Sequence, residues 1–110
     1  NMASSKEYLQ FILEQLSDLE EFNYRVMMGE YIIYYRDRIV RGIYDDRLLV
    51  KPTKSAVSYM ATAIYELPYE GAKEMLLVED ADSKEYLAGL FKAMYDELPV
   101  HKSNNKIRKF

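Results

Sequence analysis

Cysteine and tryptophan are absent from this 110-residue sequence, histidine occurs once, and glycine and proline number only four and three. Without cysteine there is no disulfide scaffold, no iron–sulfur cluster, no Cys-ligated zinc and no thiol nucleophile. The single histidine, His101, lies near the C-terminus and reads as solvent-exposed, where nothing fixes an imidazole for acid–base work. That leaves no base in the body of the chain to activate a serine, and no G-x-S-x-G elbow occurs. Gly29, Gly42, Gly71 and Gly89 are scattered, so no glycine-rich loop cradles a phosphate. No apolar run approaches the roughly 20 residues that span a bilayer, and no signal-peptide pattern is present. The expectation from these absences is a cytoplasmic, non-enzymatic chain with no cofactor, no metal and no membrane partner. Asn1 before Met2 reads as the scar of an expression tag, and residues 1–4 as a lead into the domain.

What is present is enough for one domain. The apolar fraction is 49%, ordinary for a globular protein. A chain of this size buries about 65% of its unfolded surface, which supports one core without staples. Tyrosine is the unusual constituent, with 11 against four phenylalanines. An apolar ring with a polar tip suits half-buried sheet faces and interfaces. The net charge of −3 is unevenly placed. After Pro99 come Lys102, Lys106, Arg108 and Lys109 with no acid, leaving 11 basic against 18 acidic residues elsewhere. An acidic body repels nucleic acid, whereas a basic tail attracts it weakly and in a salt-sensitive way.

The hydrophobic period changes along the chain. Tyr8, Leu9, Ile12, Leu13, Leu16 and Leu19 recur at helical spacing over about 5–19, behind a Ser4–Glu7 pair with capping-box spacing. Strands are expected over 22–28, 31–35, 39–44 and 48–51, separated by Gly29, Arg36-Asp37-Arg38 and Asp45-Asp46-Arg47. Connections this short join antiparallel neighbours, so the run reads as a meander. Thr53 can cap a short helix over 54–61, Met75 to Val78 reads as a strand, and 83–97 reads as a final helix behind an Asp82–Glu85 capping box. Pro99 ends it, and 99–110 reads as a disordered basic tail. The order α-β-β-β-β-α-β-α gives an α+β fold: a two-layer structure with an antiparallel sheet of five or six strands and helices on one face, forming a single domain over 5–98.

The stretch Tyr24-Arg25-Val26-Met27-Met28-Gly29-Glu30-Tyr31 resembles the opening motif of the N-terminal domain of TfoX (Sxy) competence regulators: an aromatic, an Arg, a Met-Phe-Gly-like triplet, then a small residue or Glu and a Tyr. The likeness continues through Tyr34, the turn at Asp37, the strand through Ile43, Asp46-Arg47-Leu48 leading to Lys51, Pro68-Tyr69 and the Met75 strand, and so covers about 5–98. Arg38 stands where the family often has Gly in the first hairpin turn, and Met28 where Phe is common. The full-length regulators also carry a C-terminal helical domain that has no counterpart in this sequence. The resemblance implies the α+β fold and a role in transcription regulation, as a bacterial, cytoplasmic protein-interaction module.

Candidate binding residues follow from the same segments: Arg25, Met27, Gly29, Glu30, Tyr31, Tyr34, Asp46 and Lys51. Arg25 and Met27 share a strand face. Arg25 either pairs with Asp45 or Asp46 to hold register or presents a planar fork to a partner. Gly29 is expected to mark a β-bulge or a close backbone approach, weighed against the functional reading that a bulge re-aims Glu30 and Tyr31 toward a ligand. Met27 and Met28 suit either an adaptable surface or gap-filling in a core. Asp45-Asp46, with Glu30 and Glu70, is weighed as a cation site against plain turn chemistry, and turn chemistry is preferred. The expected partner is a protein, with a second copy of the chain as one candidate through an edge strand. The alternative is a nucleic-acid-associated factor using Arg36, Arg38 and Arg41 around one hairpin, together with Lys102, Lys106, Arg108 and Lys109.

Overall fold

A computed structural model describes residues 4–100 and shows an α+β fold. Helix α1 (Lys6–Gln15) is followed by strands β1 (Phe22–Met27), β2 (Glu30–Tyr35), β3 (Arg38–Ile43) and β4 (Leu48–Val50). Helix α2 (Lys54–Tyr59), strands β5 (Tyr65–Glu66) and β6 (Met75–Leu77), helix α3 (Lys84–Met94) and a 3-10 turn at Tyr95–Glu97 complete it. The six strands form one antiparallel sheet in the order β1-β2-β3-β4-β6-β5. Strand β5 is the element that the sequence pattern left unassigned. It is two residues long, too short for alternation to declare itself.

Three successive hairpins build the meander, and each closes through two residues at positive φ. These are Met28 and Gly29 (54° and 83°), Arg36 and Asp37 (50° and 68°), and Asp45 and Asp46 (54° and 57°). Two left-handed residues match the right-handed twist of the flanking strands, which is why this turn wins despite its cost to residues with a Cβ. Gly29 therefore sits in a tight turn and not in a bulge. The bulge is in β3, where Ile33 faces Arg41 and Tyr34 faces Ile39, so that Val40 is the extra residue.

The helix starts also differ from the expected boxes by one residue. Ser5 caps α1 by accepting from the Tyr8 N–H at 3.1 Å, and Ser83 caps α3 by accepting from Tyr86 N–H at 3.1 Å. Thr53 caps α2 as read, accepting from Ala56 N–H. Ser4 is released for another task. It is buried, its N–H donates to Gly29 O at 3.2 Å, and its hydroxyl accepts from Asp46 N–H at 3.1 Å. It thus stitches the first hairpin turn to the third. Helix α1 ends earlier than its apolar spacing suggests, because residues 16–19 tighten into a turn with Leu19 N–H donating to Leu16 O.

The helices cover one face of the sheet. Leu9, Ile12, Leu16 and Leu19 meet Tyr31, Ile33, Tyr35, Val40, Ile43, Leu48, Val50 and Leu76 from the strands, with Leu87, Leu90, Phe91 and Met94 from α3. Between α2 and α3, Gly89 leaves room for the Tyr59 ring, whose hydroxyl donates to Tyr86 O at 3.1 Å. No helix among the described residues is long and apolar enough to cross a membrane.

Candidate functional site

The face without helices carries its own smaller core of Ile32, Tyr34, Tyr44, Leu49 and Met75, with Ile39 and Leu77 packed against it. Strand register places the remaining residues of this open face. Arg25 lies opposite Ile32, Ile32 opposite Gly42, and Gly42 opposite Leu49, giving one row across four strands. Alternation adds Met27, Glu30 and Tyr34 beside it, and Lys51 two residues beyond Leu49. Arg25, Met27, Glu30, Tyr34 and Lys51 therefore share one face.

Three other candidates take different positions. Tyr31 points the opposite way, into the helix-side core at 8% exposure, with its ring edge-on to Tyr24 at 6.0 Å. Gly29 supplies a turn. Asp46 is occupied structurally: its carboxylate accepts from Ser5 N–H at 2.8 Å and from the Ser5 hydroxyl at 3.3 Å. That ties the start of α1 to the third hairpin. Among the described residues no group of three or more His, Cys, Asp or Glu is arranged to hold a metal ion.

The bulge shapes the middle of the open face. Val40 and Ile43 both reach the helix-side core, although strict alternation would send them to opposite faces. The extra residue resolves the conflict and leaves Arg41 and Gly42 on the open side. Only glycine fits at 42, because a Cβ there would run into the Tyr31 carbonyl oxygen on the neighbouring strand. Around this point the side chains are electrostatically uneven. Burial lowers the pKa of Lys51, and the nearby charges of Arg41 and Lys73 lower it further. Burial raises the pKa of Tyr44; Arg41 offsets part of this, while Tyr69 and Glu30 add to it. The Tyr44 hydroxyl and the Nε of Arg41 are buried with no hydrogen-bond partner among the described residues.

The arginines of the second hairpin do not form one patch. Arg36 and Arg38 both lie over the Tyr95 ring, at 4.8 and 4.3 Å from its centroid. Arg38 also donates to Tyr95 O at 3.0 Å and to Leu98 O at 3.4 Å, holding the end of α3 against β3, and Arg36 pairs with Glu21 at 3.1 Å. Only Arg41 of the three faces the open side. His101, Lys102, Lys106, Arg108 and Lys109 lie outside the described residues.

Sequence reading passed over Arg47, Tyr44 and Lys73. Arg47 donates to Tyr44 O, Glu66 Oε1, Leu67 O and Pro68 O at 2.8–3.2 Å, fixing the segment after β5 against the third hairpin. In sequence it was one more polar turn residue, with no signal of those distant carbonyls. Tyr44 was hidden by the bulge, which breaks the alternation that assigns it a face.

The edge strand β1 completes the surface. Tyr24, Val26, Met27 and Met28 are exposed, Val26 at 67% and Met28 at 96%, and the outer side of β1 has no partner strand among the described residues.

Compared with known proteins, the chain is 29% identical over 79 residues to an uncharacterized 12.7 kDa protein in the trpE 5′ region of Spirochaeta aurantia. The match spans 72% of this chain and 69% of that relative. No protein-family profile matches the chain, and no solved structure matches it.

Proposed function

We propose that the protein is a non-enzymatic regulatory module of the TfoX N-terminal kind that binds another protein through strand β1 and the adjoining open face. One observation carries the reading. An unpaired edge strand six residues long has no proline and no acid, and it ends in an exposed apolar tip at Val26, Met27 and Met28. Long apolar edges of this kind offer a row of free backbone groups for strand addition, and proteins that do not use them blunt them with charge or bulges. The bulge here is two strands further in, on β3, and the β1–β2 register runs unbroken. Arg25 supplies the single charge along β1, on the open face, where it can set register against a partner's carboxylate.

The test is an affinity pull-down from source-cell lysate, with and without nuclease, using the wild type, Val26→Lys and Arg25→Ala. Val26 is exposed, so a lysine there leaves the fold intact while placing a charge on the edge. The expected result is a protein partner that survives nuclease and is lost with Val26→Lys. Recovery of nucleic acid, with every partner lost on nuclease treatment, would overturn the reading in favour of a nucleic-acid role for the basic residues.

A further inference from the structure

We propose that the open face holds an oxyanion site, in which Arg41, close to the Tyr44 hydroxyl, and the neighbouring Lys51 and Lys73 take a phosphate group, either free or as a small monoester. It lies on the β3, β4 and β6 part of the open face, two strands in from the β1 edge that carries the interaction reading, and it is tested with phosphate rather than with a protein partner.

The argument begins with register. Arg41 faces Val50 on β4, and Lys51 follows directly, its N–H donating to Val40 O at 3.0 Å. Val50 faces Leu76, which brings Lys51 level with Met75, and Lys73 lies two residues before Met75 on the same strand path. Three cations from three neighbouring chain segments thus gather at one end of the open face of a chain whose overall charge is −3. None of the three takes part in the ion pairs found among the described residues, which use Arg36, Arg47 and Lys84.

A second observation is independent of charge. Tyr44 is 2% exposed, yet its hydroxyl has no hydrogen-bond partner, and neither has the Nε of Arg41. Buried donors almost always find an acceptor, so two orphans on the same side of β3 mark a missing one. What is missing has to accept from a hydroxyl and a guanidinium and to neutralise ammonium groups. A tetrahedral oxyanion does this with its several oxygens. Burial is the first cause of the lowered Lys51 pKa, and the neighbouring charges of Arg41 and Lys73 add to it, as expected of cations held close together.

Access is through Tyr69. Its ring lies 6.4 Å from that of Tyr44 and is half exposed, on the segment that Arg47 anchors at Leu67 and Pro68.

The test is a titration with inorganic phosphate at constant ionic strength, followed by NMR at the Arg41 Nε–H and the Lys51 Cε, with the melting temperature measured alongside. The expected result is saturable binding that moves both signals and raises the Lys51 pKa towards its ordinary value. Tyr44→Phe should raise the melting temperature of the phosphate-free protein while weakening phosphate binding about tenfold, since a hydrogen bond to a charged group is lost. Lys73→Ala, on the surface, should also weaken it, which guards against any single variant acting through the fold. Phosphoserine and adenosine monophosphate are titrated in parallel. Tighter binding of either, or of free phosphate, supports the site and identifies its source. Linear shifts without saturation, saturation at Arg36 and Arg38 instead, or unchanged affinity in both variants would overturn the proposal.

Discussion

The two faces of one sheet are built to different rules. The helix side is an aliphatic and aromatic interior in which Ile12, Ile33, Ile43, Leu87, Leu90, Phe91 and Met94 are fully buried. The open side is also largely buried where Ile32, Tyr34, Leu49 and Met75 meet, but it mixes apolar contact with cations and with two orphaned polar atoms. Helix-side residues gain stability from area removed from water and from close packing. The open side gives up part of that gain by keeping polar groups unsatisfied, a pattern found where binding rather than stability sets the residue. The β3 bulge joins the two regimes. It returns Val40 to the dry core and at the same time exposes Arg41 to the other face.

The sharpest way to test this contrast is to truncate on the helix side. Phe91 is fully buried and packs near Tyr35, with ring centroids 6.1 Å apart. Phe91→Ala removes most of a large side chain and leaves a cavity, so a loss of about 3–5 kcal/mol is expected in urea or thermal unfolding. A loss below about 1 kcal/mol would mean that this side can collapse, which a close-packed interior does not do.

On the open side the expected sign reverses. Tyr44→Phe keeps the ring and its packing against Tyr69 but deletes a buried hydroxyl that has no partner. An unsatisfied buried polar group costs about 1–3 kcal/mol, so the variant should be more stable by about 1 kcal/mol, a rise of roughly 4–8 °C in melting temperature. The same substitution alters the alkaline limb of the stability curve. The pKa of Tyr44 is raised in the folded state, chiefly by burial, against an ordinary value of 10.0. The folded chain therefore holds this proton longer than the unfolded chain does. Its contribution is complete below pH 10.0 and is lost as pH rises through the folded value. Lys51 slopes the other way. Its lowered pKa means that the unfolded state binds the extra proton, so its contribution improves as pH climbs towards 10.5. Removing the Tyr44 hydroxyl should flatten the alkaline fall. An unchanged or lower melting temperature in Tyr44→Phe would show that the hydroxyl is satisfied after all.

The same contrast explains what the sequence made legible. The helix side rests on period: Leu9, Ile12 and Leu16 at helical spacing, and Tyr31, Ile33 and Tyr35 at strand spacing, identify elements, layers and class before any coordinates. Turn residues located the hairpins as well, although Met28 and Arg36 do not advertise the left-handed turns they adopt, because the twist of the strands imposes those turns. What could not be read depends on single-residue offsets and distant partners. The helix caps fell one position late, since Ser4 and Ser5 are equivalent in sequence and only the contact of Ser4 with the two hairpin turns separates them. The bulge was assigned to Gly29 because glycine is its usual mark, whereas the residue inserted is Val40 and the glycine that the geometry demands is Gly42. Once β3 slips by one, alternation no longer says which way Arg41 and Tyr44 point, so the cationic cluster on the open face was out of reach.

The smallest expected effect separates two arginines that sequence treats alike. Arg36 and Arg38 both lie over the Tyr95 ring, and both would pass for surface cations. Arg36 is about half exposed and its partner Glu21 about two-thirds exposed, at 51% and 66% of their side-chain areas. An ion pair in that setting is worth less than about 1 kcal/mol and weakens with salt. Arg36→Ala should therefore change stability by a few tenths of a kcal/mol, with most of that change gone at about 1 M salt, where the Debye length falls to about 3 Å. Arg38 donates to the Tyr95 and Leu98 carbonyls at the end of α3, and water cannot easily replace it there. Arg38→Ala should cost about 1–2 kcal/mol, and salt should not relieve it, because the loss is of charge-assisted hydrogen bonds to partly buried carbonyls. If the two variants instead behave alike in both size and salt dependence, then Arg38 is only another exposed cation, and the end of α3 is held by the burial of Leu98 alone.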